Sequence, residues 1–282
     1  MIGTRSGAAA IEAPTRRIEA AGTHFAYRDF GPTSGTPVVF LHHFTAVIDD
    51  WDPRVIDGVA VERRVIIFDN RGIGGSGGRT PTTVEAMADD AIAFIRALGL
   101  GPVDLMGFSL GGFVAQAIVE REPGLVRRVV LAGTGPAGGA GVGEANTRML
   151  GDALRGLVTL SNPKPLLFFT RTPSGKAAAA AYMRRLGERT HDRVRRTTPR
   201  GVAAQVVAVR RWGSRAPMDL GSIEHPVLVA NGEDDRMLPT RSSFDLAHEL
   251  PNATLRIYPD AGHGGVFQHH ERFVADLLAF LR

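Results

Sequence analysis

Short runs dominated by apolar residues, rich in valine and isoleucine, recur along the chain at Val38–Leu41, Val65–Phe68, Val103–Gly107, Val129–Ala132, Val227–Ala230 and Leu255–Tyr258. Strands read this way when both of their faces are buried, as in a parallel sheet covered by helices. Most of the runs alternate with segments of helical spacing. Thr82 and Glu85 form a capping box that opens a helix reaching Leu98, closed by Gly99 with Pro102 beyond. Phe113–Glu120 follows the same logic, and Phe267–Arg282 is amphipathic. Strand and helix in alternation predict an α/β fold, a mainly parallel sheet with helices on both faces. Arg17–Phe30 alternates about Gly22 and predicts an antiparallel hairpin on one edge. After Ala132 the rhythm breaks. Helical segments near Glu144–Val158, Ala177–Glu188 and Val202–Trp212 fill about 80 residues without a strand, which reads as an inserted helical cap. The expected division is an α/β core at 16–135 and 218–282, a helical cap at 136–217, and a flexible N-terminus at 1–15.

The chain has 282 residues, 44% of them hydrophobic, enough for one large domain with an insertion. There is no cysteine, so disulfides, thiolate metal sites and thiol nucleophiles are excluded. The formal charge of +4 comes from 33 basic and 29 acidic residues. The basic residues are densest from Arg184 to Arg215, but Glu188 and Asp192 interrupt them and no aromatic residues alternate with them. That pattern predicts a solvated face and not a nucleic-acid surface. The N-terminus lacks the apolar stretch of a signal peptide, and no run of about 18 apolar residues occurs. The expectation is a cytoplasmic protein without membrane contact, with homo-oligomerisation left open. Arg71–Gly77, "RGIGGSG", has the spacing of a dinucleotide loop, but Gly78–Pro81 intervenes before the next helix, where a nucleotide would need the helix N-terminus directly.

The candidate chemistry begins at Gly107-Phe108-Ser109-Leu110-Gly111, where a strand pattern changes to a helix pattern. A serine in such a junction presents its hydroxyl at the carboxyl edge of the sheet, and glycines two residues to either side relieve collisions in the sharp turn. The following helix directs unpaired N–H groups toward the same point. A hydroxyl needs a base, and the base an orienting acid. Of nine histidines, His263 stands between glycines in a loop after a strand, "DAGHGG". The preceding strand ends in "NGEDDRMLP", which offers Glu233, Asp234 and Asp235 as the acid.

These motifs, with "FDNRGIGGSG" at Phe68–Gly77, resemble those of the α/β-hydrolase superfamily, within it the capped serine hydrolases that include esterases, cofactor-free haloperoxidase-like perhydrolases and carbon–carbon bond hydrolases. The resemblance implies the α/β-hydrolase fold, favours Asp235 as the acid and carries the catalytic histidine onto His263. It implies backbone N–H groups of Phe44 and Leu110 as the oxyanion hole. It also shows a departure: His43 and Thr45 stand where relatives have glycine and proline, which makes His43, with Phe108, a substrate-pocket candidate. His42 is expected to fix the loop. The implied function is a serine esterase acting on a small, apolar ester through an acyl-enzyme, with no metal and no organic cofactor. Serine at 109 argues against dehalogenase and epoxide hydrolase chemistry, which need a carboxylate there. Lactonase, perhydrolase and carbon–carbon hydrolase activities use the same triad, and a non-catalytic ligand-binding protein on the same scaffold is the reading from another class.

Overall fold

A computed structural model describes residues 9–139 and 163–282. Among these residues eight strands form one sheet: β1 Arg16–Ala20, β2 Thr23–Phe30, β3 Val38–Leu41, β4 Val65–Phe68, β5 Val103–Phe108, β6 Val126–Ala132, β7 Val227–Gly232 and β8 Ala253–Tyr258. Their order is β1-β2-β4-β3-β5-β6-β7-β8. The hairpin β1/β2 is antiparallel and joins β4 antiparallel, and the pairings from β4 through β8 are parallel. The helices are α1 Ala9–Glu12, α2 Pro53–Ala60, α3 Val84–Ala97, α4 Leu110–Arg121, α5 Lys164–Phe168, α6 Pro173–Leu186, α7 Pro199–Ser214, α8 Thr240–Glu249, α9 Gly265–Gln268 and α10 His270–Leu281.

The apolar runs are continuous because alternate residues enter two separate cores. Val39, Leu41, Ile66, Phe68, Leu105, Val129 and Val229 pack with residues of α3 and α4 on one face. Val38, Phe40, Val65, Ile67, Met106, Val130 and Leu228 pack with α2 and α10 on the other. Each such side chain contributes about 1.5–3 kcal/mol by leaving water, so a polar residue in either register would expose one core.

Element ends differ from the sequence pattern where local hydrogen bonds decide them. The cap of α3 is Thr83, whose hydroxyl accepts from the Ala86 N–H at 3.2 Å, while Thr82 instead accepts from Arg211 of α7. The C-terminal helix is broken at His269 into α9 and α10. Helix α4 starts at Leu110, one turn earlier than its apolar spacing suggests. The expected helix at Glu144–Val158 lies outside the described residues. Residues 9–15, read as part of a flexible terminus, are tied down: Asp57 accepts from the Ala10 N–H at 2.7 Å, and Asp192 from the Thr15 N–H at 2.7 Å.

In the arginine-rich stretch Arg184, Arg193, Arg195, Arg196, Arg200, Arg210 and Arg211 are exposed, as a solvated face requires, while Arg185, Arg189 and Arg215 are anchors that the expectation did not include. Arg185 in α6 pairs with Asp52, the N-cap of α2, at 2.6 Å. Arg189 pairs with Asp192 at 2.9 Å, and Arg215 reaches Glu85 at 3.2 Å and Glu120 at 3.0 Å. Charge here fastens α6 and α7 to the sheet domain. No helix among the described residues is long and apolar enough to cross a membrane.

Candidate active site

Parallel strands in register bring their carboxyl ends to one edge. Leu41 of β3 pairs with Gly107 of β5, Phe108 with Ala132 of β6, and Gly232 of β7 with Tyr258 of β8. The loops that follow these strands carry His42–Thr45, Ser109, Asp235 and His263, so the topology alone collects the residues singled out in the sequence.

Ser109 sits at φ 57°, ψ −116°, a conformation that costs about 1–3 kcal/mol for a residue with a side chain. Its backbone is pinned on both sides: its N–H donates to Ala132 at 2.9 Å, and its carbonyl accepts from the Gly112 N–H at 2.8 Å and the Thr134 hydroxyl at 3.0 Å. A Cβ at Gly107 would lie 2.4 Å from the Gly111 carbonyl oxygen, and one at Gly111 2.0 Å from that of Leu41. Only glycine permits the turn. The serine side chain caps no backbone group of α4, so its hydroxyl is not committed to the helix.

Of the three carboxylates in the acid loop, Glu233 and Asp234 are exposed and Asp235 is buried. Asp235 Oδ1 accepts from the N–H groups of Met237 and Leu238 at 2.8 and 3.0 Å, and Oδ2 lies 2.8 Å from His263 Nδ1. The carboxylate accepts only, so Nδ1 bears a proton; Nε2 has no described partner, and in the neutral ring it is a lone-pair acceptor. The imidazole is walled by the rings of Phe108 at 4.9 Å and Phe168 at 5.4 Å. Gly262 and Gly264 let its loop close on α5, where the Gly264 N–H donates to the Phe168 carbonyl at 2.7 Å.

The loop after β3 is built differently. His42 Nδ1 accepts from the Trp51 indole N–H at 2.8 Å, and Asp69 lies 3.7 Å from its Nε2. Burial pushes the Asp69 carboxyl up, while its oxygens accept from the Ile48 and Gly75 N–H groups. The "DNRGIGGS" motif thus braces this loop from below, and α3 begins only at Val84, too late to form a nucleotide cradle. His43 Nδ1 lies 2.9 Å from the Phe44 carbonyl oxygen. Burial, reinforced by the Lys164 ammonium, pushes the His43 ring down to about 3. Thr45 has φ +63°, rare for a β-branched residue. It is held there by α7 and the segment before it: its N–H donates to Gln205 Oε1 at 2.8 Å, and its carbonyl accepts from the Thr197 hydroxyl at 2.7 Å. The Phe44 N–H donates to no described group, and Leu110, as the first residue of α4, has an N–H without an intrahelical acceptor.

Several of these residues carried no motif. Phe168, Thr134 and Thr197 belong to no sequence signature. Gln205 had one faint signal: it lies on the buried face of α7 with Gly201, Ala208, Val209 and Trp212, a polar residue in an apolar stripe. No cluster of three or more His, Asp or Glu side chains that could hold a metal ion occurs among the described residues.

The profile described as "alpha/beta hydrolase fold" matches residues 36–270. An alpha/beta hydrolase fold protein from Chitinophaga pinensis superposes with a TM-score of 0.92 at 37% identity, over 97% of this chain and 99% of that one. A non-heme chloroperoxidase from Streptomyces lividans is 30% identical over 93% of this chain and 97% of its own length. A 2-hydroxymuconate semialdehyde hydrolase from Pseudomonas sp. (strain CF600) is 29% identical over 94% of this chain and 93% of its own.

Proposed function

Since this chain belongs to the alpha/beta hydrolase fold family, we propose that it is a serine hydrolase that cleaves a small-molecule carboxylic ester through an acyl-enzyme. The observation that carries this reading is the buried Asp235–His263 contact of 2.8 Å, which orients the ring with Nε2 unpaired, in a loop at the same carboxyl edge of the sheet as the elbow serine. Ser109 Oγ attacks the ester carbonyl while His263 Nε2 takes its proton. Asp235 holds the ring in the tautomer that can do so and stabilises the imidazolium that forms. The N–H groups of Phe44 and Leu110 receive the oxyanion, an interaction worth about 3 kcal/mol per donor in comparable sites. The tetrahedral intermediate collapses, the alcohol leaves with the proton from His263, and water repeats the sequence to release the acid. Residues 163–217, the described part of the segment read as a cap, serve as that cap, with Phe168 covering the histidine.

The resemblance to a chloroperoxidase supports a second use of the same acyl-enzyme, in which hydrogen peroxide replaces water and a peracid leaves. Lactone and carbon–carbon cleavage draw on the same three residues. The common step is tested by a fluorophosphonate, which should label one residue, Ser109, as located by peptide mass spectrometry. Ester turnover that persists in Ser109→Ala, or labelling elsewhere, rules the proposal out.

A further inference from the structure

The His43 ring is committed at one nitrogen and idle at the other. Its Nδ1 faces the Phe44 carbonyl at 2.9 Å. A carbonyl can only accept, so Nδ1 carries the ring proton, and in the neutral ring Nε2 is a lone-pair acceptor. That nitrogen is shielded from solvent and has no partner among the described residues. A buried acceptor left unpaired is unfavourable and calls for an explanation. The ring stands edge-on to Phe108 at 5.5 Å and Phe168 at 5.2 Å, the same two phenyl rings that wall His263. Its other chain neighbour is Phe44, whose N–H is the proposed oxyanion donor. The idle acceptor therefore belongs to the cluster of rings in which the reacting carbonyl would lie.

Resting on the hydrolase reading above, we propose that His43 Nε2 accepts a hydrogen bond from the substrate, and that the preferred substrates are carbonyl compounds bearing a hydroxyl donor close to the scissile bond, hydroxy esters before plain alkyl esters. The residue selects and orients the substrate. Proton transfer stays with His263.

Two pairs of probes test this: methyl lactate against methyl propanoate, and methyl 3-hydroxybutanoate against methyl butanoate, each corrected for its rate of hydrolysis by hydroxide. In the intact enzyme kcat/KM should favour the hydroxy member of at least one pair by about tenfold, the net worth of one ordinary hydrogen bond. In His43→Phe, which keeps a ring and loses the acceptor, that preference should vanish. A second measurement does not depend on that variant folding. In Ser109→Ala the ¹⁵N resonance of His43 Nε2 should move upfield on adding the hydroxy ester and stay in place with the plain one. Equal kcat/KM within both pairs, an equal loss for both members in His43→Phe, or an unmoved ¹⁵N resonance overturns this assignment while leaving the hydrolase intact. Failure of Ser109 to take a fluorophosphonate, with no ester turned over, defeats the underlying reading instead.

Discussion

The two limbs of the site are built on opposite plans. The limb of Asp235 and His263 is closed on itself: both carboxylate oxygens are occupied, by two backbone N–H groups and the imidazole. Its loops follow neighbouring strands that pair directly at Gly232 and Tyr258. The limb of His42–Thr45 is more open. Nitrogens of His42, His43 and Gln205 lack a hydrogen-bond partner among the described residues, against His263 Nε2 alone in the first limb, and its strained Thr45 is fixed by residues 152 and 160 positions further along the chain. In the proposed mechanism the groups that move protons are held mainly by the loops of the sheet, with one contact from Gly264 to Phe168 of α5, while the groups that shape the substrate space are held from α7 and the segment before it. One limb can stay constant while the other changes with them.

The sharpest way to break this contrast is within the acid loop. Asp235→Asn should lower kcat by about 10⁴, because an amide in place of the carboxylate favours the wrong imidazole tautomer. Asp234→Asn, one residue away but exposed, should change kcat and stability little, as surface substitutions do. Steady-state kinetics on one ester reads both, and a reversed ranking would mean that the buried contact is structural.

The open limb should respond more gently. Gln205→Leu removes the acceptor of the Thr45 N–H, leaves that part-buried N–H without its partner and frees a β-branched residue to relax from positive φ. The loss of a whole oxyanion donor costs about 10²–10³; displacing the loop that carries one should cost about tenfold in kcat, with fluorophosphonate still reaching Ser109. The unpaired N–H should also cost about 1–3 kcal/mol in a urea titration. An unchanged kcat would show that the Phe44 N–H is positioned without help from α7.

How far the sequence foretold each limb follows the same division. The runs from Val38 to Tyr258, the glycines around Ser109 and the loop of His263 were legible because sheet periodicity and tight-turn sterics are local properties. The choice of Asp235 over its two neighbours needed either the family resemblance or burial, since three adjacent carboxylates look alike in a sequence. Thr197 was not legible and Gln205 only faintly, as a polar residue in an apolar stripe: their contacts with Thr45 span most of a domain, and no local pattern encodes those contacts. Among the arginines from Arg184 to Arg215, most of them exposed as expected, Arg185 and Arg215 were not legible as anchors for the same reason. A charge run resembles a solvated face until its partners, Asp52, Glu85 and Glu120, are placed beside it.

The smallest expected effect concerns His43 and reads out in stability, not rate. Burial first, then the Lys164 ammonium, depress its ring to about 3 in the folded protein, against the contrary pull of Asp50. An unfolded chain restores the ordinary value of about 6.5. Between these two values the unfolded state binds a proton at this residue and the folded state does not, so His43 makes the protein less stable as the pH falls. Above pH 6.5 the ring is neutral in both states and contributes no slope. The difference in unfolding free energy between the parent protein and His43→Phe should therefore be flat from pH 8 to 6.5. It should then decline against the parent by up to about 1.4 kcal/mol per pH unit. Taking the difference cancels other carboxyls whose folded values are raised, such as Asp57 and Asp104. Urea unfolding at pH 8, 7, 6 and 5 measures it. A flat difference down to pH 5 would mean that His43 takes up its proton in the folded state. The ring would then present a donor where an acceptor is expected, and the contrast between a fixed proton-transfer limb and a neutral recognition limb would fail at its most specific point.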